Sequence, residues 1–230
     1  MHVLGIDAGG TKTMCLLADE HGRVIAEARG GGANLQSAGE LEVEKVLHQV
    51  MEAVLSDREG LPAAICLGIA GVDRPEDADA VRGIMRRIGF KIPALIVNDA
   101  LIALVAGAGE HPGVVLVAGT GSIAYGKDAA GRAARSGGWG YLLGDEGGGF
   151  WIGRAALSAV VRQYDGRGPA TLLTELVLDR LSLGRPTDLI REIYDRDVRR
   201  HRIAGLASLV QTAMDRGDAV AGDILTRAGA

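Results

Sequence analysis

The sequence predicts an α/β fold made of two similar halves, and three observations lead to that prediction. Short apolar runs alternate with longer segments of helical periodicity through the first half of the chain. A glycine–threonine pattern near residue 10 recurs near residue 119, and the chain then turns helical. Strands that alternate with helices are typical of a largely parallel sheet covered by helices, and an internal repeat predicts duplicated units.

The first half begins with three strand-like runs in succession, which predict a β-meander. A glycine turn separates the first two runs, and a turn at residues 19–22 precedes a third strand at 23–29. The remainder predicts helices and strands in alternation: a helix at 40–55, a strand at 64–70, a helix at 75–88, a strand at 94–97 and a helix at 99–108.

A shift of 109 residues superimposes the start of the chain on its middle without a gap. The second copy follows an apolar run at 114–118 and leads into a strand at 123–126, so we expect the meander to start twice. We predict two lobes, residues 1–110 and 111–230, whose hairpins face each other across a cleft suited to a phosphate chain. The shift aligns Gly10-Thr11 with Gly119-Thr120, Thr13 with Ser122, Asp19 with Asp128, and Gly22-Arg23 with Gly131-Arg132.

The second half departs from the first after residue 147 and becomes helical. No later run matches the strands at 64–70 and 94–97, so we expect a second sheet without its last strands, as in a fragment that ends early or a divergent short form. The predicted helices cover residues 149–163, 170–181, 187–194, 198–214 and 218–228.

The composition argues against several classes of function. A net charge of −4 with no run of like charges gives no electrostatic footprint for nucleic acid or an anionic membrane. The longest apolar stretches are interrupted and too short to span a bilayer, and no secretory signal precedes the first strand. We therefore expect a cytoplasmic protein that binds neither nucleic acid nor membranes. Cys15 and Cys66 lie in predicted strands, where a free cysteine usually packs as a small apolar residue.

The first glycine turn has the chemistry of a phosphate site. Small residues let backbone N–H groups approach phosphate oxygens, and threonine hydroxyls add donors. Asp7, at the end of the first strand, can hold Mg²⁺ through its water ligands. The turn is not a P-loop, because a strand follows where a P-loop requires a helix. The alternative to a phosphate site is an ordinary glycine-rich hairpin, but an acid and hydroxyls that converge on one turn favour the phosphate site. The candidate phosphate-binding residues are Gly9, Gly10, Thr11, Lys12 and Thr13.

The repeated turn supplies a second candidate phosphate clamp. Its glycines do not continue as a dinucleotide-binding fingerprint, and a strand follows where that fold needs a helix. Taken alone it fits a plain turn, and its relation to the first turn favours the phosphate interpretation. The residues concerned are Gly119, Thr120, Gly121 and Ser122.

Three polar residues outside these turns are candidates for the general base and for substrate binding. Asp99 closes an apolar strand and opens a helix, so it can act as a general base or simply cap the helix. Asp145 lies in the glycine-rich run 136–149 and can cap the next helix or bind sugar hydroxyls. Asn34 follows three glycines and can likewise turn the chain or bind a sugar.

Together these motifs resemble the N-acetylglucosamine kinase branch of the BadF/BadG/BcrA/BcrD-type ATPases, within the superfamily of sugar kinases, acetate kinase, heat-shock protein 70 and actin. Each motif is weak alone, and the set is specific in its order across about residues 3–155. The motifs are Asp7-x-Gly-Gly-Thr-Lys, Gly-Ala-Asn34, Asn98-Asp99, Gly119-Thr-Gly-Ser122 and Gly137-Gly-Trp-Gly-x-x-x-Gly-Asp145-Glu-Gly.

The resemblance implies a ribonuclease H-like, actin-like ATPase fold with duplicated lobes. It also implies ATP- and Mg²⁺-dependent phosphorylation of a hexosamine at its 6-hydroxyl, in a homodimer, with Asp99 as general base. N-acetylglucosamine, glucosamine, N-acetylmuramic acid and glucose stay open as substrates. The family carries a further adenosine loop after its helical region, where this sequence stops. The implied sugar-site residues are Asn34, Asp99, Ser122, Gly137, Gly138 and Asp145.

Two other functions stay open. One is an ATPase that activates benzoyl-CoA reductases or 2-hydroxyacyl-CoA dehydratases, which bridges an iron–sulfur cluster with cysteines. Cys15 and Cys66 are poorly placed for that in buried strands. The other is a non-catalytic sugar sensor, which would bind sugar without turnover.

Overall fold

The first five strands form one mixed sheet in the computed structural model, which describes residues 1–56, 60–194 and 200–230. The strand order is β3-β2-β1-β4-β5. Strand β1 pairs antiparallel with β2 and parallel with β4, which in turn pairs parallel with β5. The predicted meander followed by parallel strands is confirmed. The strands are β1 His2–Ala8, β2 Lys12–Asp19, β3 Val24–Gly31, β4 Ala64–Ile69 and β5 Ala94–Val97.

Four helices accompany this sheet: α1 Leu35–Ala38, α2 Glu40–Leu55, α3 Pro75–Arg87 and α4 Asp99–Ala108. The last three confirm the predicted helices. Proline fits the first position of α3, because the backbone N–H that it lacks would have no partner within the helix at that position. The single turn α1 was not predicted, since it is too short for a periodic pattern and depends on a cap from the Asn34 side chain.

The two faces of this sheet carry different helices. Leu67 of β4 belongs to the apolar core that also contains buried residues of α2 and α3. The next residue, Gly68, faces the opposite side of the sheet. A Cβ at position 68 would overlap the Ile102 side chain of α4, so glycine leaves the room that Ile102 needs. Helix α4 therefore packs closely on the face opposite the core.

A second sheet contains three strands in the order β6-β7-β8. Their bounds are β6 Gly113–Ala118, β7 Ser122–Lys127 and β8 Ala133–Gly137. The first two confirm the strands predicted at 114–118 and 123–126. Strand β8 completes the second meander that the internal repeat predicted.

The repeat is clearest at two turns of the same construction. In the first, the Asp19 carboxylate accepts hydrogen bonds from the backbone N–H groups of His21 and Arg23 and from the Arg23 guanidinium. In the second, Asp128 accepts the corresponding bonds from Ala130 and Arg132. A glycine with φ near +77° occupies the same place in each, at positions 22 and 131. The aligned sequences therefore fold alike.

The rest of the chain is helical, with a core of its own. The helices are α5 Gly149–Tyr164, α6 Leu173–Leu181, α7 Leu189–Tyr194, α8 Arg200–Ala204, α9 Ala207–Asp215 and α10 Ala219–Ala228, with a 3-10 turn at Pro186–Asp188 before α7. The prediction of a single helix at 198–214 is wrong, because the helix is interrupted between α8 and α9. Residues 198–199 of that prediction lie outside the described residues. Leu173, Val177, Val210 and Ala213 are fully buried in this core.

The described chain forms two compact units, residues 1–115 with 125–133, and residues 116–124 with 134–230. The lobe boundary after residue 110 and the cleft between the hairpins stay predictions. None of the helices in the described part of the chain has the length and apolar character needed to cross a membrane.

Candidate active site

Asp7 and Asp99 come together at the carboxyl edge of the first sheet. Asp7 lies in β1 in register with Gly68 of β4, so it faces the side that α4 covers. Asp99 is the first residue of α4. The charge of Asp7 contributes to the pKa of Asp99, as expected for neighbouring carboxylates. Asp7, predicted to hold Mg²⁺ through water, and Asp99, the predicted base, therefore lie on the same side of the first sheet, near enough for their charges to interact.

The surroundings of Asp99 favour its protonated form. Burial of the side chain raises its pKa, and the negative charges of Asp7 and Asp73 raise it further, whereas hydrogen bonding to the Ala100 N–H lowers it. The N-cap of α4 is Asn98, whose Oδ1 accepts from the same N–H at 2.9 Å. Since Asn98 already caps the helix, capping does not require Asp99.

The first glycine hairpin is fixed by backbone contacts. The Gly9 N–H donates to the Lys12 carbonyl at 3.0 Å, and the Gly9 carbonyl accepts from Ala33 at 2.9 Å. Gly32 lies against Gly10 so closely that a Cβ at position 32 would be 2.7 Å from the Gly10 carbonyl carbon. Position 32 therefore has no room for a side chain against this turn, whereas a Cβ on Gly10 itself would meet no atom within 4 Å.

The polar side chains of this hairpin differ in accessibility. Thr13 is buried and its hydroxyl donates to the Gly31 carbonyl at 2.8 Å, which ties β2 to β3. Thr11 and Lys12 are exposed. Partial burial raises the pKa of Asp7, and the Lys12 charge lowers it, so these two side chains lie near each other. The exposed pair suits phosphate contact better than Thr13 does, and all three assignments stay predictions.

The second hairpin is tied to the helix that follows it. The Gly119 N–H donates to the Gly121 carbonyl at 2.9 Å. The carbonyls of Gly119 and Thr120 accept from Gly149 and Phe150, the first residues of α5, at 2.7 and 2.9 Å. These bonds occupy N–H groups that a helix start leaves unpaired, so they fix hairpin and helix together.

Asp145 supports the second hairpin directly. Burial raises its pKa, whereas hydrogen bonds from the backbone N–H groups of Ser122 and Gly140 lower it. A Cβ at Gly121 would lie 2.8 Å from the Asp145 Cγ, so only glycine admits the carboxylate there. Asp145 itself has φ +62°, in the left-handed region. The Ser122 hydroxyl donates to the Glu146 carbonyl at 2.6 Å.

The predicted sugar-binding glycines belong to the same loop. Gly137 and Gly138 have φ of +74° and +70°. Their carbonyls both accept from Nη1 of Arg135, at 3.2 and 3.1 Å. The Arg135 guanidinium also stacks on the ring of Trp139, 4.7 Å from its centroid. The predicted sugar-site residues of the second unit, Ser122, Gly137, Gly138 and Asp145, therefore lie in or beside the loop that follows β8.

Asn34 lies in the first unit, beside the loop that follows β4. Its Oδ1 accepts from the Ser37 N–H at 2.9 Å and so caps α1. The same oxygen would be 3.0 Å from a Cβ at Gly71, which has φ +83°. Asn34 and Asp99 are thus both neighbours of residues 70–74, and their roles toward sugar stay predictions.

Gln36, Asp73 and Asp77 form hydrogen bonds around this loop, and the sequence analysis missed them. An acidic residue at the third position of a helix is a known capping pattern, so Asp77 had a readable signal as a cap. The long-range partners of Gln36 and Asp73 have no local signature.

The donor set fits magnesium held through water. Among the described residues, no group of three or more His, Cys, Asp or Glu side chains could hold a metal ion. Mg²⁺ commonly uses one or two carboxylates and keeps several waters while it contacts phosphate. The single carboxylate of Asp7 beside the first hairpin is compatible with that arrangement.

The fold and these motifs define a phosphate-handling ATPase of the actin-like type, and comparison with known proteins gives the family. Residues 4–230 match the BadF/BadG/BcrA/BcrD ATPase family, and the chain belongs to it. The predicted family and the predicted fold are both confirmed.

Named relatives narrow the comparison. A curated N-acetylmuramic acid/N-acetylglucosamine kinase of Clostridium acetobutylicum is 40% identical over 99% of this chain and 75% of its own length. The N-acetyl-D-glucosamine kinase of Dictyostelium discoideum is 37% identical over 98% of this chain and 75% of its own length. A crystal structure from Chromobacterium violaceum, assigned as an N-acetylglucosamine kinase, superposes with a TM-score of 0.84 at 30% identity, over 99% of this chain and 79% of that one.

Proposed function

We propose that this protein transfers the γ-phosphoryl group of ATP to the 6-hydroxyl of an amino sugar of the N-acetylglucosamine type, with Asp99 as general base. The names of two curated relatives at 40% and 37% identity support a sugar kinase and this class of sugar. The observation that carries the assignment of the base is the position of Asp99, half-buried beside Asp7, in a helix start that Asn98 already caps.

In the proposed reaction Asp99 accepts the proton of the sugar hydroxyl. The sugar oxygen forms a bond to the γ-phosphorus, the bond from that phosphorus to the β–γ bridging oxygen breaks, and ADP leaves with the electron pair. A raised pKa makes a carboxylate a stronger proton acceptor, and burial together with the charges of Asp7 and Asp73 raises that of Asp99.

The proposed nucleotide site combines backbone N–H groups with polar side chains. In the first unit, the backbone of Gly10 and the side chains of Thr11 and Lys12 would contact phosphate, while Gly9 and Thr13 shape the hairpin through their bonds to Lys12 and Gly31. In the second unit, the backbone of Gly121 and the side chain of Thr120 would contact phosphate, while the Gly119 N–H bonds to the Gly121 carbonyl. Asp7 would hold Mg²⁺ through water, and the ion would supply neutralisation of phosphate charge. The sugar would lie against Asn34, Ser122, Gly137, Gly138 and Asp145.

The cysteines argue against an iron–sulfur activator. Cys15 is fully buried in β2, and burial raises its pKa to about 12. Burial also raises the pKa of Cys66 in β4. Cluster ligation requires the thiolate, which both environments disfavour.

A cytoplasmic location and a homodimer remain predictions.

A sugar panel tests the reaction and the substrate together. The protein is incubated with ATP, Mg²⁺ and, in separate reactions, N-acetylglucosamine, N-acetylmuramic acid, glucosamine or glucose. At least one amino sugar should yield a sugar phosphate that mass spectrometry detects. ³¹P–¹H NMR should place the phosphate on the 6-oxygen. Isothermal titration with the same sugars, beside an ADP-release assay, tests the sensor alternative. Binding heat without ADP release would reject the kinase.

Asp99→Asn should lower kcat by about two to four orders of magnitude, the usual worth of a general base. The fold and ATP binding should persist, because asparagine fills the same volume. Asp79→Asn is the matched control, since Asp79 is an exposed carboxylate on α3 paired with Arg82. Near-normal turnover in Asp99→Asn would remove Asp99 from the mechanism.

A further inference from the structure

The loop between β4 and α3, residues 70–74, contacts the elements that carry both Asn34 and Asp99. The Ala70 carbonyl accepts from the Leu35 N–H at 3.0 Å, next to the Asn34 cap. On the other side, the Asp73 carboxylate accepts from Nδ2 of Asn98 at 2.9 Å. A movement of this loop would therefore displace the residues on either side of it.

Asp77 fixes this loop from the first turn of α3. Asp77 is only 6% exposed. One carboxylate oxygen accepts from the backbone N–H groups of Asp73 and Arg74, at 3.3 and 3.0 Å. The Arg74 guanidinium also donates to both oxygens, at 3.2 and 3.0 Å. Four donors thus hold the end of the loop against one buried carboxylate.

A second connection leaves Asp77 toward α1. Nε2 of Gln36 donates to Asp77 at 2.9 Å and to the Gly71 carbonyl at 3.1 Å. Gln36 lies two positions after Asn34, in the helix that Asn34 caps. The same carboxylate therefore links α1, the start of the loop and the end of the loop.

Resting on the proposed function, we propose that Asp77 is a positioning residue of the active site. Through Asp73 and Asn98 it sets the position of the base Asp99, and through Gln36 it sets the position of the sugar ligand Asn34. Asp77 itself touches neither sugar nor nucleotide in this assignment.

A helix cap alone does not account for these contacts. Capping uses the backbone N–H groups at the helix start, which Asp77 already satisfies with one oxygen. The other oxygen accepts from Gln36 on a separate helix, and the side chain of Asp73, in the loop before α3, accepts from Asn98. The hydrogen bond from Arg74 is the main influence that lowers the pKa of Asp77, so its charge persists at the pH of the assay.

The first test compares Asp77→Asn with Asp79→Asn. Both changes remove one carboxylate charge from the same helix, and only the first removes it from the loop network. Asp77→Asn should lower kcat by roughly ten-fold and raise the sugar KM several-fold per folded molecule, since misplacing reacting groups by about 1 Å is that harmful or worse. Asp79→Asn should match the wild type.

The second test separates the two connections. Asp73→Ala should lower kcat by roughly ten-fold with little change in sugar KM. Asp73→Asn keeps an acceptor for Asn98 and loses only the charge that adds to the raised pKa of Asp99, so it should restore most of kcat. Gln36→Leu should raise the sugar KM and leave kcat within about two-fold. Changes that fall equally on both parameters in both variants would refute the two-connection scheme, even if Asp77→Asn fails to fold.

Hydrogen exchange gives a readout that does not require activity. The N–H groups of Ala100 and Ser37 donate to Asn98 and Asn34, so their exchange should be faster in Asp77→Asn than in Asp79→Asn. Faster exchange in a protein that phosphorylates no sugar would uphold the coupling and reject the proposed reaction. Exchange and kinetics equal to those of Asp79→Asn would overturn the positioning role.

Discussion

The two glycine–threonine hairpins share a sequence pattern but differ in what supports them. The first is held by backbone on backbone, with Gly32 lying on Gly10. The second also has backbone bonds, to the start of α5, but it has in addition a charged side chain, since Asp145 accepts from the Ser122 N–H beside Gly121. A backbone contact is fixed by shape, whereas a carboxylate contact also depends on ionisation. The repeat thus conserves the hairpins and not the means that hold them.

The largest effect is expected at the first hairpin, from Gly32→Ala. The added Cβ would overlap the Gly10 carbonyl, and neither backbone can yield without moving the turn that is predicted to bind phosphate. We expect the free energy of unfolding to fall by about 1–3 kcal/mol and kcat/KM for ATP to fall by roughly a hundred-fold. Urea titration and steady-state kinetics measure both.

Gly5→Ala is the control for that substitution. Gly5 lies in the same sheet, and no atom lies within 4 Å of a Cβ added there. The free energy of unfolding of the Gly5→Ala variant should stay within about 0.5 kcal/mol of that of the wild type. If Gly32→Ala behaves like Gly5→Ala, backbone packing does not hold the first hairpin.

A smaller effect is expected at the second hairpin, from Gly121→Ala. The added Cβ would meet the end of the Asp145 side chain, which can rotate away at the loss of its bonds from Ser122 and Gly140. We expect a loss of about 1.5 kcal/mol in the free energy of unfolding, the lower end of the usual range for a hydrogen bond to a charged group, because the displaced carboxylate can rotate toward solvent. A loss equal to that of Gly32→Ala would break the contrast between the two supports.

The smallest effect is a pH dependence at Asp145. Burial is the main influence and raises its pKa above the ordinary value, so its ionisation opposes folding. The wild type should therefore lose stability relative to Asp145→Asn as pH rises from about 4 through the raised pKa. Asparagine tolerates the left-handed backbone of this position, which isolates the charge. Thermal denaturation from pH 4 to 7 measures the difference; a trend of opposite sign would mean that the N–H donors outweigh burial.

The sequence predicted the elements whose signals are local. The glycine turns, the apolar strands and the start of α4 at Asn98-Asp99 all have short, readable patterns, and these place most of the candidate site. The break between α8 and α9 also had a local signal in Gly205, whose helix propensity is low, but the apolar periodicity on both sides concealed it.

The remainder depends on partners far apart in the chain. Residues 170–172 were predicted as helix, yet α6 starts at Leu173, because Asp218 accepts from the Thr171 hydroxyl at 2.8 Å and from the Leu172 N–H at 2.5 Å. Gln36 meets Asp77 across 41 positions of sequence. No local pattern encodes such pairs, so the network around the 70–74 loop could be found only in the structure.

The twin turns at Asp19 and Asp128 bear on how the halves diverged. In each turn the aspartate carboxylate bonds to groups within five residues, so the shape of the turn does not depend on a ligand. After a gene duplication, selection for folding alone would preserve such a pentapeptide in both copies. Likeness at these turns therefore needs no shared ligand to explain it, whereas likeness at the glycine–threonine hairpins bears on a shared chemical task.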